Sequence, residues 1–321
     1  MFWRLIAAAV LSAAAGALQA QSSFPSRPIK LVVGFAPAGA ADFVARTLGE
    51  PLSRALGQPI VIDNRPGAGS SIAAEYVARS APDGYTLLIA SPSSILVNPL
   101  LMKLGYDAKR DLVPVTKVTS SPLVVAANPA VGATTLKELI EVAKRQPGKL
   151  NFASSGNGAA PHLAAVLFMK LAGVEMVHVP YKGGGPAVQS VLAGETQLSF
   201  ATPPSVLPLV QAGRLRALAV TSRNRTPLVP GVPGMEEAGL PDYEISFWYG
   251  FFLPAGTARE IVQKLYQETS KVLALPEVGK ALAREGTEVS GSRSPEEFAA
   301  FIAEDAKLWT RLVKDSGAKA D

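Results

Sequence analysis

Two short segments of small and polar residues carry the groups in this sequence that could bind a ligand. Residues 36–40 follow one apolar run, and residues 154–158 follow another about 119 positions further along. Their side chains are methyl groups, hydroxyls and one amide, and their glycines allow close approach to the backbone. Such groups can donate hydrogen bonds to a carboxylate, but they include no acid–base pair. We therefore predict that these segments bind an anion without transforming it.

Each segment joins a predicted strand to a predicted helix. The apolar runs 29–35 and 150–153 have the length of buried strands, and helical spacing follows over 42–56 and 161–172. In parallel α/β sheets, ligands bind at the carboxyl ends of strands, where helix N-termini attract anions. An ordinary turn explains one such segment equally well, but the pairing of two favours an anion site between two lobes.

Other polar residues near these segments leave alternatives open. Asp42 is either a first-turn charge that stabilises its helix or a contact to a ligand amine or a bridging water. Lys182, which follows the apolar run 177–180, either faces an anion or is solvated. We expect His162 and His178 to be neutral and structural rather than catalytic.

The composition excludes several kinds of catalytic and metal site. Among 321 residues there are two histidines and no cysteine, which excludes a thiolate zinc site, an iron–sulfur cluster and a cysteine nucleophile. The sequence also lacks a complete dinucleotide fingerprint, a phosphate loop and a serine nucleophile elbow. We therefore expect a protein that is not an enzyme and that has no cofactor and no metal. The net charge of +5 comes from scattered lysines and arginines, which argues against nucleic acid as a partner.

The first twenty residues have the pattern of a secretory signal peptide. Arg4 precedes an apolar stretch that ends in small residues, and this stretch is too short for a comfortable membrane span. We expect cleavage near Ala20, with residues 15–17 as a second site; a short N-terminal anchor is the alternative. The exported chain would be periplasmic and would keep 30 basic and 26 acidic residues, a charge of +4.

Strand and helix patterns alternate through most of the chain, which predicts an α/β class with parallel strands. Pro51 should kink or divide the helix over 42–56. The last third begins with an aromatic strand over 247–253. Its residues 247–249 either line a pocket or pack in the core, and their apolar spacing favours the core. A length of 321 residues suggests two domains.

Several ordered motifs together resemble one known family. Residues 37–46 resemble its P-G-G-x-x-D-x-x-A-R stretch, residues 63–69 its E/D-N-R-P-G-A-G, and residues 81–88 its P-D-G-Y-T-L-L. Further matches lie at 178–183 and 248–257. The family is that of the Bug-type (TctC-like) extracytoplasmic receptors of tripartite tricarboxylate transporters, and the resemblance covers essentially the whole chain.

The resemblance implies a two-lobed periplasmic-binding-protein fold (type II, Venus-flytrap). Each lobe would be a mainly parallel sheet flanked by helices, with 24–122 and 248–321 in the first lobe and 123–247 in the second. A monomer would capture a small carboxylate for membrane components of a transporter or for a membrane sensor. Two other functions stay open: a ligand-independent scaffold or sensory partner, and a secreted enzyme acting on a small anion.

The resemblance also implies that a carboxylate is held between the two loops, largely by main-chain groups and water. The sequence departs from the family at Ala38, which replaces the first glycine of P-G-G, and at 201–204, where an expected aspartate is missing. The candidate ligand-binding residues are Phe35, Ala36, Pro37, Ala38, Gly39, Ala40, Asp42, Ser91, Ser154, Ser155, Gly156, Asn157, Gly158, Ala160, Tyr181, Lys182 and Thr202.

Overall fold

A computed structural model describes residues 24–316, and in it the chain forms two β-sheets flanked by helices. The predicted signal peptide, residues 1–20, and its cleavage site near Ala20 lie outside the described residues. Within the described range, no helix is long and apolar enough to cross a membrane.

Strands and helices alternate along most of the described chain. The strands are β1 Ile29–Val33, β2 Ile60–Asn64, β3 Thr86–Ala90, β4 Leu112–Pro122, β5 Val124–Ala127, β6 Asn151–Ser154, β7 Val177–Pro180, β8 Leu198–Ala201, β9 Arg216–Val220, β10 Ser246–Pro254 and β11 Glu288–Val289. The α-helices are α1 Ala40–Leu56, α2 Ser71–Ala78, α3 Asn98–Leu101, α4 Ala108–Asp111, α5 Leu136–Arg145, α6 Ala160–Ala172, α7 Gly184–Ala193, α8 Pro203–Gln211, α9 Arg259–Leu273, α10 Pro276–Arg284 and α11 Pro295–Ser316.

The strands form one six-stranded and one five-stranded sheet, each the centre of one lobe. The first sheet has the order β11-β4-β10-β3-β1-β2, and the second has the order β7-β6-β8-β5-β9. This architecture confirms the predicted two-lobed α/β class. Strand β1 is almost wholly buried, as expected for a strand covered by helices on both faces.

Both sheets are mixed, but most of their strands run in one direction, as predicted: four of six in the first sheet and four of five in the second. Strand β1 is parallel to β2 and β3, and β6 is parallel to β7 and β8. Strands β10 and β5 instead run antiparallel to their neighbours. The physical reason is the path of the chain: β5 and β10 enter their sheets from the other lobe, so they run opposite to strands that end facing that lobe.

Thr221 joins the two segments that cross between the sheets. The chain leaves the first sheet at Pro122 and returns to it at Ser246. The buried Thr221 hydroxyl accepts a hydrogen bond from the Leu123 N–H (2.7 Å) and donates one to the Ile245 carbonyl (2.8 Å). Its backbone makes two further bonds to the same residues. One side chain therefore holds both crossings together. The lobe boundaries at 122/123 and 247/248 stay predictions, although β10 already begins at Ser246.

Prolines lie inside one strand and one helix of the fold. Strand β4, for which the sequence analysis gives no prediction, contains Pro114 beside a register irregularity where β4 borders only β10. Helix α1 runs undivided through Pro51. Leu48 and Leu52 are fully buried on either side of it, so packing outweighs the backbone hydrogen bond that proline removes.

Asp305 fixes the C-terminal helix to the first sheet. Its carboxylate accepts hydrogen bonds from the indole nitrogens of Trp248 on β10 (2.7 Å) and Trp309 on α11 (2.9 Å). Burial raises the pKa of Asp305, against these hydrogen bonds and the charge of Lys117. Helix α11 also packs against α6, so it contacts both lobes.

Gly250 provides a test of this packing. A Cβ at Gly250 would lie 2.7 Å from Cε1 of the fully buried Phe298. We expect Gly250→Ala to lower the free energy of unfolding by about 1–3 kcal/mol through overpacking, measured by urea denaturation. The additional substitution Phe298→Leu should restore part of the loss.

Gly279 is the matched control, because in the described structure no atom lies within 4 Å of its hypothetical Cβ. In helix α10, Gly279→Ala should raise stability by up to about 1 kcal/mol. Equal effects of the two substitutions would show that Phe298 does not limit the space at Gly250.

Candidate anion-binding site between the lobes

A small cavity lies between the two lobes. Its volume is about 20 Å³, room for roughly one water molecule, so the lobes are closed on each other. All fourteen residues that line it are uncharged. They are Phe35, Gly39, Ala40, Ala41, Ser93, Ser155, Pro161, Gly184, Ala187, Ser199, Ala201, Thr202, Phe247 and Tyr249.

Four helices begin at this cavity. Helices α1, α6, α7 and α8 follow the cap residues Gly39, Ala159, Gly183 and Thr202, and in the described structure no cap side chain bonds to their N-termini. Helix α5, which starts away from the cavity, has a complete capping box at Thr135. The first N–H groups of a helix have no partner inside it and carry partial positive charge. Helices α1 and α7 supply such donors from residues 40, 41, 184 and 185. Helices α6 and α8 do not, because the Ala160 N–H is bonded to Ser93 and residues 161, 203 and 204 are prolines without an N–H. Two sets of donors, one from each lobe, therefore face an uncharged cavity.

The first loop touches the second lobe through its backbone. The Ala36 N–H donates a hydrogen bond to the Lys182 carbonyl (3.0 Å). A Cβ at Gly39 would lie 3.6 Å from the backbone nitrogens of Gly184 and Gly185 at the start of α7. Opposed helix starts of the two lobes are therefore separated by little more than one side chain.

The conformation of the first loop depends on Ala38 rather than on Gly39. Gly39 has φ −95° and ψ 173°, a conformation that any residue can adopt. Gly39 therefore matters because the absence of a side chain leaves space in front of helix α7. Ala38 has φ 64°, in the left-handed region that favours glycine. This conformation costs a non-glycine residue about 1–2 kcal/mol. The Ala38 N–H donates to Asp42 Oδ2 (3.2 Å), which holds the turn in place.

Asp42 organises this loop from behind the cavity and is not among the lining residues. Its buried carboxylate also accepts hydrogen bonds from Arg46 Nε (2.8 Å) and Asn64 Nδ2 (3.1 Å). Burial opposes its ionisation, but the bonds from Arg46, Asn64 and Ala38 outweigh burial and hold the pKa of Asp42 below its ordinary value. Of the two interpretations, this geometry favours a structural role.

Two histidines support the second loop. The His178 Nε2 lies 2.6 Å from the Ser154 hydroxyl, and the His162 Nδ1 accepts a hydrogen bond from the Gly158 N–H (3.2 Å). The two imidazole rings stack with centroids 3.9 Å apart. Nδ1 of His162 must be unprotonated to accept, so this geometry needs a neutral ring at that position.

A left-handed turn over residues 67–70 lies against the second loop. All four residues have positive φ, between 45° and 136°. Asn98 Nδ2 holds the turn by donating to the carbonyls of Ala68 (2.9 Å) and Gly69 (3.3 Å). A Cβ at Gly69 would lie 2.8 Å from the Asn157 carbonyl oxygen, so the glycines serve both the turn and the contact between lobes.

The structure brings five of the predicted site residues to the cavity wall: Phe35, Gly39, Ala40, Ser155 and Thr202. Most of the others form the loops around it. These are Ala36, Pro37, Ala38, Asp42, Ser154, Gly156, Asn157, Gly158 and Ala160. Ser91 is fully buried after β3.

Tyr181 and Lys182 do not line the cavity. The Lys182 side chain is exposed, and its carbonyl accepts a hydrogen bond from the first lobe. The Tyr181 hydroxyl lies 3.5 Å from the carboxylate of Glu195, which follows the C-terminal end of α7.

Sequence reasoning missed nine lining residues: Ala41, Ser93, Pro161, Gly184, Ala187, Ser199, Ala201, Phe247 and Tyr249. The position of Ser93, just after a strand, was an available signal, because the two recognised loops also follow strands. Its hydroxyl accepts a hydrogen bond from the Ala160 N–H at the start of α6 (3.2 Å). Phe247 and Tyr249 are buried, as expected for core residues, but they also form the wall.

No cluster of potential metal ligands is found in the part of the chain that the structure describes. Among residues 24–316, no group of three or more histidine, aspartate or glutamate side chains could hold a metal ion. The functional groups at the cavity are backbone N–H groups, hydroxyls and aromatic rings.

This chain is similar in sequence to several known proteins. The chain is 38% identical to the protein BugT of Bordetella pertussis over 92% of this chain and 91% of that protein. Two solved structures are also similar. The R. palustris protein Rpa4515 with adipate has 34% identity, a TM-score of 0.88 and coverage of 92% of this chain and 99% of that one. MatC from Rhodopseudomonas palustris with bound malate has 33% identity, a TM-score of 0.86 and coverage of 90% and 100%.

These neighbours confirm the two-lobed periplasmic-binding-protein fold. The model of one protein family, described as "Tripartite tricarboxylate transporter family receptor" (TctC), matches residues 44–318, most of the chain. The protein therefore belongs to the family of tripartite tricarboxylate transporter receptors.

Proposed function

We propose that this protein is a periplasmic solute receptor that binds a small carboxylate between its two lobes. One observation carries the proposal: the N-termini of α1 and α7, one from each lobe and neither bonded by a cap side chain, face one cavity whose lining residues are uncharged. Such N–H groups bind anions without a cationic side chain. The receptor delivers its ligand to the membrane components of a tripartite tricarboxylate-type transporter.

Two relatives support the ligand class, since one was solved with adipate and another with malate. The closed cavity of about 20 Å³ is much too small for such molecules. The lobes must therefore separate for the ligand to enter, and the two crossings joined at Thr221 are the natural hinge. A ligand that contacts both lobes favours the closed state.

Export and the lack of catalysis complete the proposal. Residues 1–20 direct the chain to the periplasm and are removed near Ala20. The hydroxyls that line the cavity have no adjacent general base among the lining residues, so the arrangement supports binding rather than turnover.

The direct test is calorimetry of protein that was unfolded, washed and refolded to remove retained ligand. Candidate ligands are succinate, malate, adipate, citrate, benzoate, aspartate and glutamate. We expect at least one carboxylate to bind and to raise the melting temperature. If none binds and the melting temperature never changes, the receptor proposal fails in favour of a ligand-independent scaffold. Consumption of a bound acid, followed by mass spectrometry, would instead indicate an enzyme.

Gly39→Val tests the proposed anion position. The backbone of Gly39 suits valine, and its hypothetical Cβ makes only ordinary contacts of 3.5 Å or more. The additional methyl groups would fill the gap in front of Gly184. We expect affinity for every binding carboxylate to fall by about 100-fold or more, while the free energy of unfolding changes by less than about 1 kcal/mol. Gly39→Ala should have an intermediate effect. Parallel loss of affinity and stability would show that Gly39 is only a structural turn.

Asp42→Asn tests the role of the buried carboxylate. The amide would present a donor to Arg46 or to the Ala38 N–H, so the loop should lose about 1–3 kcal/mol of stability. Carboxylates with and without an amine should then be weakened by similar factors in calorimetry. A loss confined to aspartate and glutamate would instead show a direct contact between Asp42 and a ligand amine. Glu50→Gln is the control, because Glu50 forms only an exposed pair with Arg54 on the same helix.

A further inference from the structure

One tyrosine hydroxyl in the described structure differs from the other six. All seven tyrosines of the chain lie within residues 24–316. The hydroxyls of Tyr76, Tyr85, Tyr106, Tyr181, Tyr243 and Tyr266 each have a hydrogen-bond partner in the protein. The hydroxyl of Tyr249 has none among the described residues, and burial alone raises the pKa of Tyr249.

Tyr249 is nevertheless one of the most enclosed tyrosines. It is 6% exposed, and it lines the cavity between the lobes. The other two buried tyrosines bond to backbone carbonyls, Tyr106 to Ser94 (2.6 Å) and Tyr243 to Ala164 (2.8 Å). A buried tyrosine hydroxyl normally has a partner, because leaving it unpaired loses the hydrogen bonds it made in water. The partner of Tyr249 is therefore expected inside the cavity.

The ring of Tyr249 is held in a defined orientation. Tyr249 and Phe247 lie two residues apart in β10 and therefore on the same face of the strand. Their rings meet edge to face with centroids 4.9 Å apart. On the opposite face of the strand, Trp248 is fixed by its hydrogen bond to Asp305. Tyr249 is thus placed at the cavity by a strand of the sheet rather than by a loop.

Three other lining hydroxyls have a partner in the protein. Ser93 accepts from the Ala160 N–H and keeps its own O–H, Ser199 donates to the Ala153 carbonyl (2.8 Å), and Thr202 pairs with Ser205 (3.0 Å). The backbone donors at the starts of α1 and α7 serve the first carboxylate in the proposed function. Among the described residues, the lining hydroxyls without a partner are those of Ser155 and Tyr249, and of these two Tyr249 is the buried one, which makes it the candidate donor to a second acceptor on the same ligand.

We propose that Tyr249 determines ligand specificity by donating a hydrogen bond to a second carboxylate, which makes the receptor selective for dicarboxylates over monocarboxylates of the same length. This inference rests on the proposed function, since it assumes that the first carboxylate binds at the helix starts. The raised pKa keeps the hydroxyl protonated, as a donor, at neutral pH. A lining without carboxylates offers no counter-charge to a ligand ammonium group, which argues against amino acids.

The test compares Tyr249→Phe with wild type by calorimetry on refolded protein, with matched acids: adipate against hexanoate, and succinate against butanoate. Wild type should prefer the dicarboxylate of at least one pair. Tyr249→Phe should weaken binding of that dicarboxylate by about 10- to 100-fold and change the monocarboxylate by no more than about twofold. An equal loss for both members of the pair, or no loss for either, would overturn the inference.

Tyr243→Phe is the matched control, because it removes the hydroxyl of another buried tyrosine whose partner, the Ala164 carbonyl, lies in the protein. It should lower the melting temperature without changing the preference between the paired acids. Ser155→Ala removes another hydroxyl of the cavity wall. A larger selective loss of the dicarboxylate in Ser155→Ala than in Tyr249→Phe would overturn the assignment. Binding of no acid to wild type would refute the proposed function itself, a result distinct from binding without a selective loss in Tyr249→Phe.

Discussion

The proposed function imposes one constraint on the structure: an anion is to be held among lining residues that include no cation. The substitute is the positive end of helices, and each helix start lies at the cavity because the strand before it ends there. Cap side chains are absent from these four starts in the described structure, although a good cap stabilises a helix by about 0.5–2 kcal/mol. Ala159 is an especially poor cap residue. At α1 and α7 the N–H groups of residues 40, 41, 184 and 185 stay available to a ligand. At α6 the Ala160 N–H is bonded to Ser93, and α8 begins with two prolines, so these two starts shape the cavity without donating to it.

A site shared by two lobes requires the chain to cross between them, and this requirement shapes the sheets. Strands β5 and β10 run against their neighbours because they enter from the other lobe. Strand β10 therefore lies in the middle of the first sheet and faces the cavity at its beginning. Its alternating side chains then serve two purposes: Tyr249 meets the cavity, while Trp248 anchors the C-terminal helix through Asp305. The wall of the site and the packing of the last helix are mechanically linked.

The sequence predicts those parts of the molecule that follow from local pattern. The strand–loop–helix units around 36–40 and 154–158 can be predicted because an apolar run, small residues and helical spacing follow one another along the chain. Strand β4 and the position of Tyr249 at the cavity wall cannot be predicted from local pattern, because they depend on partners more than a hundred residues away. The position of Lys182 likewise follows from a backbone contact with Ala36 that no local pattern encodes.

Ala38 shows that the shape of the first loop, not the presence of glycine, is what the site needs. Its left-handed conformation costs about 1–2 kcal/mol. The Asp42 carboxylate compensates because it binds the Ala38 N–H and is itself fixed by Asn64 and Arg46, two groups held by separate elements. A second bond from Asn64 to the Phe35 carbonyl closes the network around the loop. The replacement of the family's glycine therefore leaves the helix start and its donors in place, so it does not argue against ligand binding.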